Sequence, residues 1–332
     1  MTVEADTERI SYATAINRAL AEEMTRDERV FLMGQDVGVL GGVFGVTQGL
    51  QQRFGGDRVI DTAIVEHGIV GGAAGAALGG MRPVAEVQFA DFLMLAGDET
   101  SNKLGKWRYM HGGVPIMPVV VRAPMGALGG VGAEHSQCLE GTFWHEPGLR
   151  IVAPSTPSDA KGLLKTAIRS DDPVLFFEHR RLYWKKADVP TSAEFLVPFG
   201  QAAVRRSGSD VTIITWSAMV HTALEAAEAA ASQGVDAEVL DLRTLQPLDF
   251  AAIATSVSKT GRVLIVHESA LTMGPGAEIA ALVADELFGH LDAPVRRLAG
   301  YDTPIPQAAE LESQWYPGVE RVTAAMVDLA RW

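Results

Sequence analysis

A chain of 332 residues that is 47% hydrophobic and 21% charged can bury a large core and is long enough for two domains. Its net charge of -13 excludes a broad nucleic-acid surface, because such a surface needs cationic groups to displace counterions from phosphates. The single cysteine, Cys138, excludes an internal disulfide and a cysteine-rich zinc site, and the acidic start MTVEADTERISY has neither a secretory nor a transit pattern, so a cytoplasmic location is expected.

In chain order, Ser11 to Thr25 reads as an amphipathic helix with Ile16, Ala19, Leu20 and Met24 on one face, and Val30 to Met33 as a strand. The glycine-rich Gly34 to Gly45 lacks the Gly-Lys-Ser/Thr ending of a phosphate-cradling loop and is expected to be a mobile surface loop. A short helix at Thr47 to Phe54 precedes an extended segment, Arg58 to Val65. In the next stretch, Gly68, Gly72, Gly75 and Gly79 fall at i, i+4, i+7 and i+11. On a helix they form one bare stripe that invites close approach of another backbone. Only 14 residues separate His67 from Arg82, fewer than the roughly 17 needed to span a bilayer, so this is no membrane helix. Strands are expected at Pro83 to Phe89, Met117 to Arg122, Leu149 to Ala153 and Val174 to Glu178, and helices at Asp98 to Met110 and Ser158 to Ile168. Such alternation implies a parallel sheet with helices on both faces.

The polar, proline-bearing stretch from Lys185 to Gly200 breaks the alternation as a linker does. Beyond it, strands at Val211 to Trp216, Ala237 to Leu242, Val263 to His267 and Val295 to Leu298 interleave with helices at Ala218 to Ser232, Leu248 to Ser258 and Ala277 to Phe288. The expected architecture is therefore α/β, with two three-layer domains: residues 1–190, a linker at 191–201, and a smaller domain at 202–332.

Two residues stand out as chemistry. Glu66 sits at the mouth of the glycine-striped helix, and Gln88, Asp91 and Phe92 follow the next strand, where open α/β sheets bind ligands. Spacing by itself favours an ordinary N-terminal cap or dipole partner for Glu66. His135 lies in a second glycine-rich loop, Gly126 to Gly132 and beyond. His135 and Cys138 have the spacing of half a zinc site without the other half, and there is no Gly-x-Ser-x-Gly, His-Glu-x-x-His or complete Gly-x-Gly-x-x-Gly.

Taken together, MGQDVG at 33–38, GGVFGVTQGL at 41–50, RVIDTAIVEHGIVGGAAGAALGGMRPVAEVQFADF at 58–92, EHSQ at 134–137 and PGLRIVAPSTPSDAKGLLKTAIRSDDPVLFFEHRRLY at 147–183 carry a family resemblance. So do AEVLDLRTLQPLD and KTGRVLIVHE in the second half. The chain resembles the β subunit of the thiamine-diphosphate-dependent decarboxylase component of 2-oxo acid dehydrogenase complexes, over nearly its whole length. The resemblance implies a pyrimidine-binding, transketolase-like domain followed by a transketolase C-terminal-like domain that carries assembly contacts.

It also implies roles. Glu66 corresponds to the family glutamate that hydrogen-bonds the cofactor's aminopyrimidine, Phe92 to the aromatic packed on that ring, and Gln88 to its polar lining. His135 corresponds to the histidine at the site mouth, which orients substrate and helps acyl transfer to a lipoyl arm. Some relatives hold potassium through backbone oxygens, and the matching positions are Val119, Ala167, Ile168, Ser170 and Asp172. The family's Gly-Glu-Asp is Gly34-Gln35-Asp36 here, which puts any proton relay through that acid in doubt, and the helix at 97–110 departs from the usual Phe-Asp-Gln-Ile pattern. No Gly-Asp-Gly segment is present, so the magnesium ligands that thiamine diphosphate needs are expected on an α subunit in an α2β2 heterotetramer, with the glycine stripe at a subunit contact. A lipoyl-bearing acyltransferase core is the further expected partner. Pyruvate, branched-chain 2-oxo acids and acetoin stay open as substrates, and a catalytically inactive scaffold subunit is the alternative of another class.

Overall fold

A computed structural model describes residues 6–332; residues 1–5, part of the acidic start read above, lie outside the described residues. The chain divides into two compact units, one running to Met125 and resuming over Phe143–Phe199, the other comprising Gly126–Thr142 and Gly200–Trp332.

In the first unit, β1 (Thr7–Ser11) leads into α1 (Tyr12–Arg26), whose N-terminus is capped by Ser11 Oγ accepting the Thr14 N–H at 3.1 Å. β2 (Val30–Gly34), α2 (Leu50–Phe54), β3 (Val59–Asp61), α3 (Glu66–Leu78) and β4 (Arg82–Glu86) follow. After a broken helical stretch ending in α4 (Trp107–Met110) come β5 (Val120–Met125), α5 (Glu140–Trp144), β6 (Arg150–Val152), α6 (Pro157–Arg169), β7 (Val174–His179) and β8 (Lys186–Pro190). The central strands run in the order β6-β7-β5-β4-β2-β3, all parallel, and β4, β5 and β7 are buried throughout. Strands covered on both faces read as continuous apolar runs, as VVRAPM and VLFFEH nearly do.

Three sequence expectations change here. Asp98 to Met110 is not one helix: a 3₁₀ segment at Ala90–Ala96 and a π-helical segment at Glu99–Leu104 precede α4. At Gly105 the backbone of Pro147 and Gly148 packs so closely that a Cβ would come within 3.1 Å of the Pro147 carbonyl oxygen, so the register is bent to admit it. α6 starts at Pro157 rather than at Ser158 and is capped by Thr156, whose Oγ1 accepts the Asp159 N–H at 3.1 Å. Finally, much of the proline-bearing polar stretch is ordered structure. β8 pairs antiparallel with β1, Ser11 opposite Lys186, and the following residues are pinned to α6 by Lys161 Nζ donating to the Ser192 carbonyl and Thr166 Oγ1 to that of Val197. Lys161 and Lys165 are fully buried because Glu22 pairs with both, at 2.8 and 2.6 Å.

The second unit holds β9 (Ala203–Arg206), β10 (Val211–Thr215), α7 (Met219–Ala231), β11 (Ala237–Asp241), a short β12 (Thr244–Gln246), α8 (Phe250–Thr260), β13 (Val263–Ala270), α9 (Pro275–Glu286) and β14 (Arg296–Gly300). Its sheet, β14-β13-β10-β11-β9, is parallel except for β9, which runs antiparallel at the edge. Two C-terminal helices, α10 (Ala309–Trp315) and α11 (Val319–Leu329), were not expected from the sequence. α11 buries Val322, Met326 and Leu329 in the same core as α7, β10 and β11. Among the described residues no helix is long and apolar enough to cross a membrane.

Candidate functional site

The site residues of the first unit gather where its sheet ends. Glu66 occupies the first turn of α3, behind Val65, which offers no side-chain cap. The carboxyl is therefore set at the positive end of the helix, and it is 9% exposed. No hydrogen bond or ion pair ties it to another described residue. Beyond β4, the Gln88 side chain buries its Nε2 with no partner. A buried amide nitrogen without a partner needs explanation in a packed protein, and a ligand's ring nitrogen would supply one.

Phe92 lies in the 3₁₀ segment, half-buried, and packs edge-on to Phe89 at 5.9 Å. Phe89 is held in turn by Phe44, edge-on at 5.9 Å, and by the Arg180 guanidinium 5.4 Å from its centroid. Phe44 comes from the glycine-rich loop, which sequence treated as a mobile surface segment. Here Asp61 Oδ1 and Oδ2 accept the Gly38 and Val39 N–H groups at 2.6 and 3.0 Å, Thr47 Oγ1 donates to the Val37 carbonyl, and Val37 is fully buried. The substituted Gln35 donates from Nε2 to Asp36 Oδ2 at 3.4 Å, and Asp36 holds a left-handed φ of 59°.

Beneath these residues lies an ion triad that sequence reasoning missed. Arg122 on β5 is fully buried, donates to both oxygens of Glu178 on β7 at 2.6 and 2.8 Å, and also donates to Glu86 on β4. Burial opposes the Arg122 charge, but the two carboxylates outweigh it and hold the guanidinium protonated far above its ordinary range. Burial pushes the Glu86 carboxyl up, against the pull of Arg122. Tyr183 donates to Glu178 Oε2 at 2.9 Å, and burial next to that carboxylate raises the phenol. The available signal was a charge placed within a mainly apolar strand: Glu86, Arg122 and Glu178 each lie in such a run.

The five positions matched to potassium lie around the C-terminus of α6 and its neighbouring strand. Their carbonyls already accept hydrogen bonds: Ile168 from Arg82 Nε at 2.9 Å, Ser170 from Arg82 Nη2 at 2.5 Å, Ala167 from the Ser170 N–H, Asp172 from Ser170 Oγ, and Val119 from the Val174 N–H. Each carbonyl oxygen retains a second lone pair, while Arg82 already brings one positive charge to the same turn.

His135 belongs to the second unit, within the segment 126–142, and is half-buried. The same segment holds Glu140, whose Oε1 accepts the Trp216 Nε1–H at 3.0 Å. Trp216 stacks on His267 at 5.4 Å and 14°. Burial raises the Glu140 carboxyl to about 7, with the indole hydrogen bond opposing and Glu268 reinforcing the rise. Burial, aided by Arg297, lowers His267 to about 4.

The transketolase pyrimidine-binding domain matches residues 8–185, and the transketolase C-terminal domain matches residues 200–322. Over 327 residues the chain is 48% identical to the 2-oxoisovalerate dehydrogenase subunit beta of Bacillus subtilis, covering 97% of this chain and 99% of that one. It is 46% identical to the pyruvate dehydrogenase E1 component subunit beta of Leifsonia xyli, covering 93% and 91%, and 44% identical to the acetoin:2,6-dichlorophenolindophenol oxidoreductase subunit beta of Cupriavidus necator, covering 96% of each. A solved structure described as a split gene transketolase, inactive beta4 tetramer, shares the fold with a TM-score of 0.78 at 23% identity, covering 97% of this chain and 99% of that one. With a family model on each half and relatives this similar along nearly its whole length, the chain belongs to the transketolase-like β subunits of 2-oxo acid dehydrogenase first components.

Proposed function

We propose that this chain is the β subunit of a thiamine-diphosphate-dependent 2-oxo acid dehydrogenase, which decarboxylates pyruvate or a branched-chain 2-oxo acid and passes the acyl group to lipoyl arms of an acyltransferase core. The observation that carries the reading is the pairing of a nearly buried, unpartnered Glu66 carboxyl with the orphaned Gln88 amide, next to a supported Phe92. Thiamine diphosphate supplies, when bound, the carbon nucleophile that makes decarboxylation of a 2-oxo acid possible. The protein's own part is to hold it. Glu66 would hydrogen-bond the aminopyrimidine ring, the low-dielectric setting strengthening that bond and favouring the tautomer that can accept a proton. Gln88 would satisfy its amide on the same ring, and Phe92 would give the ring an apolar face, stiffened by Phe89 and Phe44. His135 would orient the substrate and serve acyl transfer. Potassium at the Ala167–Asp172 turn is proposed on the resemblance and is tested by comparing melting temperatures in potassium and choline salts.

Magnesium would be held by an α subunit, since this sequence has no Gly-Asp-Gly segment. The α3 stripe supports such a partner: Gly68, Gly72, Gly75 and Gly79 are all exposed, flanked by exposed Ile64, Leu78, Met94 and Leu95. An apolar, bare helix face of this kind is what a subunit contact in an α2β2 heterotetramer would cover. We place the assembly in the cytoplasm.

Acetoin is the alternative substrate, since the acetoin relative matches at 44% against 48% for the branched-chain relative, too small a gap to choose by. Assays of the enzyme reconstituted with its α subunit, reading decarboxylation of pyruvate and three branched-chain 2-oxo acids and carbon–carbon cleavage of acetoin with a dye as electron acceptor, test the reading. Turnover of none of them, with thiamine diphosphate and magnesium bound, leaves the scaffold role instead.

A further inference from the structure

The segment that carries His135 has no helix or strand of its own until Glu140, yet its backbone is held by buried carboxylates. Glu268, on β13 and 4% exposed, accepts the Ala127 N–H through Oε1 at 2.7 Å. Glu312, on α10 and 2% exposed, accepts the Gly129 N–H through Oε1 at 3.1 Å and the Gly130 N–H through Oε2. The two glycines take left-handed φ values of 66° and 93°, which turn consecutive amides toward one point. A Cβ on Gly130 would meet the Gln307 carbonyl oxygen at 3.0 Å, so the loop also lies flat on the chain leading to α10. The base is closed by the Gly126 N–H donating to the Gln137 carbonyl, and the turn before the histidine by the His135 N–H donating to that of Gly132.

We propose that Glu312, assisted by Glu268, is a positioning residue for His135. A loop has many backbone paths of similar energy; a bidentate carboxylate on two successive amides selects one, because charge-assisted hydrogen bonds are about twice as strong as neutral ones. The Gly129 and Gly130 amides cannot turn to water without leaving the buried Glu312 charge unpaired. Their hydrogen bonds to the segment go to backbone amides, so the two carboxylates act on the histidine through the path of the chain. This rests on the reading of His135 given above.

The test uses the enzyme assembled with its α subunit and compares two half-reactions: decarboxylation read with an artificial dye as electron acceptor, and reductive acylation of an isolated lipoyl domain. Glu312→Gln keeps the shape but loses the charge and one acceptor oxygen. It should slow acylation by roughly 10- to 100-fold, the cost typical of a misplaced reacting group, with a far smaller change in decarboxylation. A His135→Ala, Glu312→Gln double variant should be no slower than His135→Ala alone, since the two changes remove one function. Faster exchange of the Gly129 and Gly130 amides in Glu312→Gln, with melting temperature kept, is the accompanying physical signature; if this variant does not fold, Glu312→Asp takes its place. Wild-type acylation by Glu312→Gln, an equal loss in both half-reactions, or losses that multiply in the double variant overturn the proposal. Wild-type acylation by His135→Ala overturns the assignment of His135 itself, and the silent variant tells the two failures apart.

Discussion

Glu140 and His267 face the same indole from buried positions and titrate in opposite senses, which makes the second unit's pH response a sharp test. The Glu140 carboxyl is raised from 4.5 to about 7 by burial, so the folded chain keeps a proton that the unfolded chain has released. Its contribution to stability is greatest below about 4.5 and is lost as pH rises through about 7. Holding the proton over that interval is worth about 3 kcal/mol, at about 1.36 kcal/mol for each pH unit. His267, lowered from 6.5 to about 4, has the opposite sign: its contribution is present above about 6.5 and is lost as pH falls through about 4. Between about 4.5 and 6.5 the two slopes cancel. Glu140→Gln keeps an amide oxygen for the Trp216 indole and cannot ionise. Its stability should match wild type near pH 4.5 and exceed it by about 3 kcal/mol at pH 8, with the difference growing across the interval. Denaturant melts of both proteins from pH 4.5 to 8, read by Trp fluorescence, measure that difference. A mutant whose curve runs parallel to wild type over the whole range refutes the burial argument.

Other expectations are as direct. Glu66→Gln keeps size and polarity but loses the acid, so turnover of the reconstituted enzyme should fall by at least roughly 100-fold, and a loss of only a few-fold contradicts its role. Gly75→Leu meets open space in this chain, so the isolated subunit should melt no lower than wild type, yet it should fail to assemble with its partner; normal assembly removes the glycine stripe from the interface. Calorimetric titration of the isolated chain should show no magnesium-dependent binding of thiamine diphosphate, restored on adding the α subunit, whereas tight binding by this chain alone places the metal ligands here. Arg122→Met strips the partner from two buried carboxylates and should cost about 3 to 5 kcal/mol, measured by melting; a neutral effect means Glu86 and Glu178 find other partners.

A separate expectation about assembly is reshaped by the fold. The second domain, from about residue 202, is expected to carry assembly contacts, and a chain ending near Leu196 is the direct way to remove them. That truncation would also strip Glu268 and Glu312 from the His135 segment, confounding docking with loop collapse. Surface substitutions on the second unit, such as Phe288→Ser at its exposed position, separate the two.

Local rules carried much of the reading. The regular spacing of small residues placed α3, apolar runs placed most strands of both sheets, and the motif around Glu66 and Phe92 put chemistry at the sheet's carboxyl end, because these depend on period and on neighbours within a few residues. Tertiary structure decided what depends on distant partners. The glycine-rich loop at 34–45 is built around Asp61, some twenty residues later, and nothing in its composition says so. β8 was hidden in a polar stretch because its pairing partner is β1, at the other end of the unit. The Glu86, Arg122 and Glu178 triad joins three strands, none of which alone shows where its buried charge finds a partner. The His135 segment packs with the C-terminal residues because its orphan amides found carboxylates on β13 and α10, and a backbone amide leaves no trace in a sequence of the partner it will take.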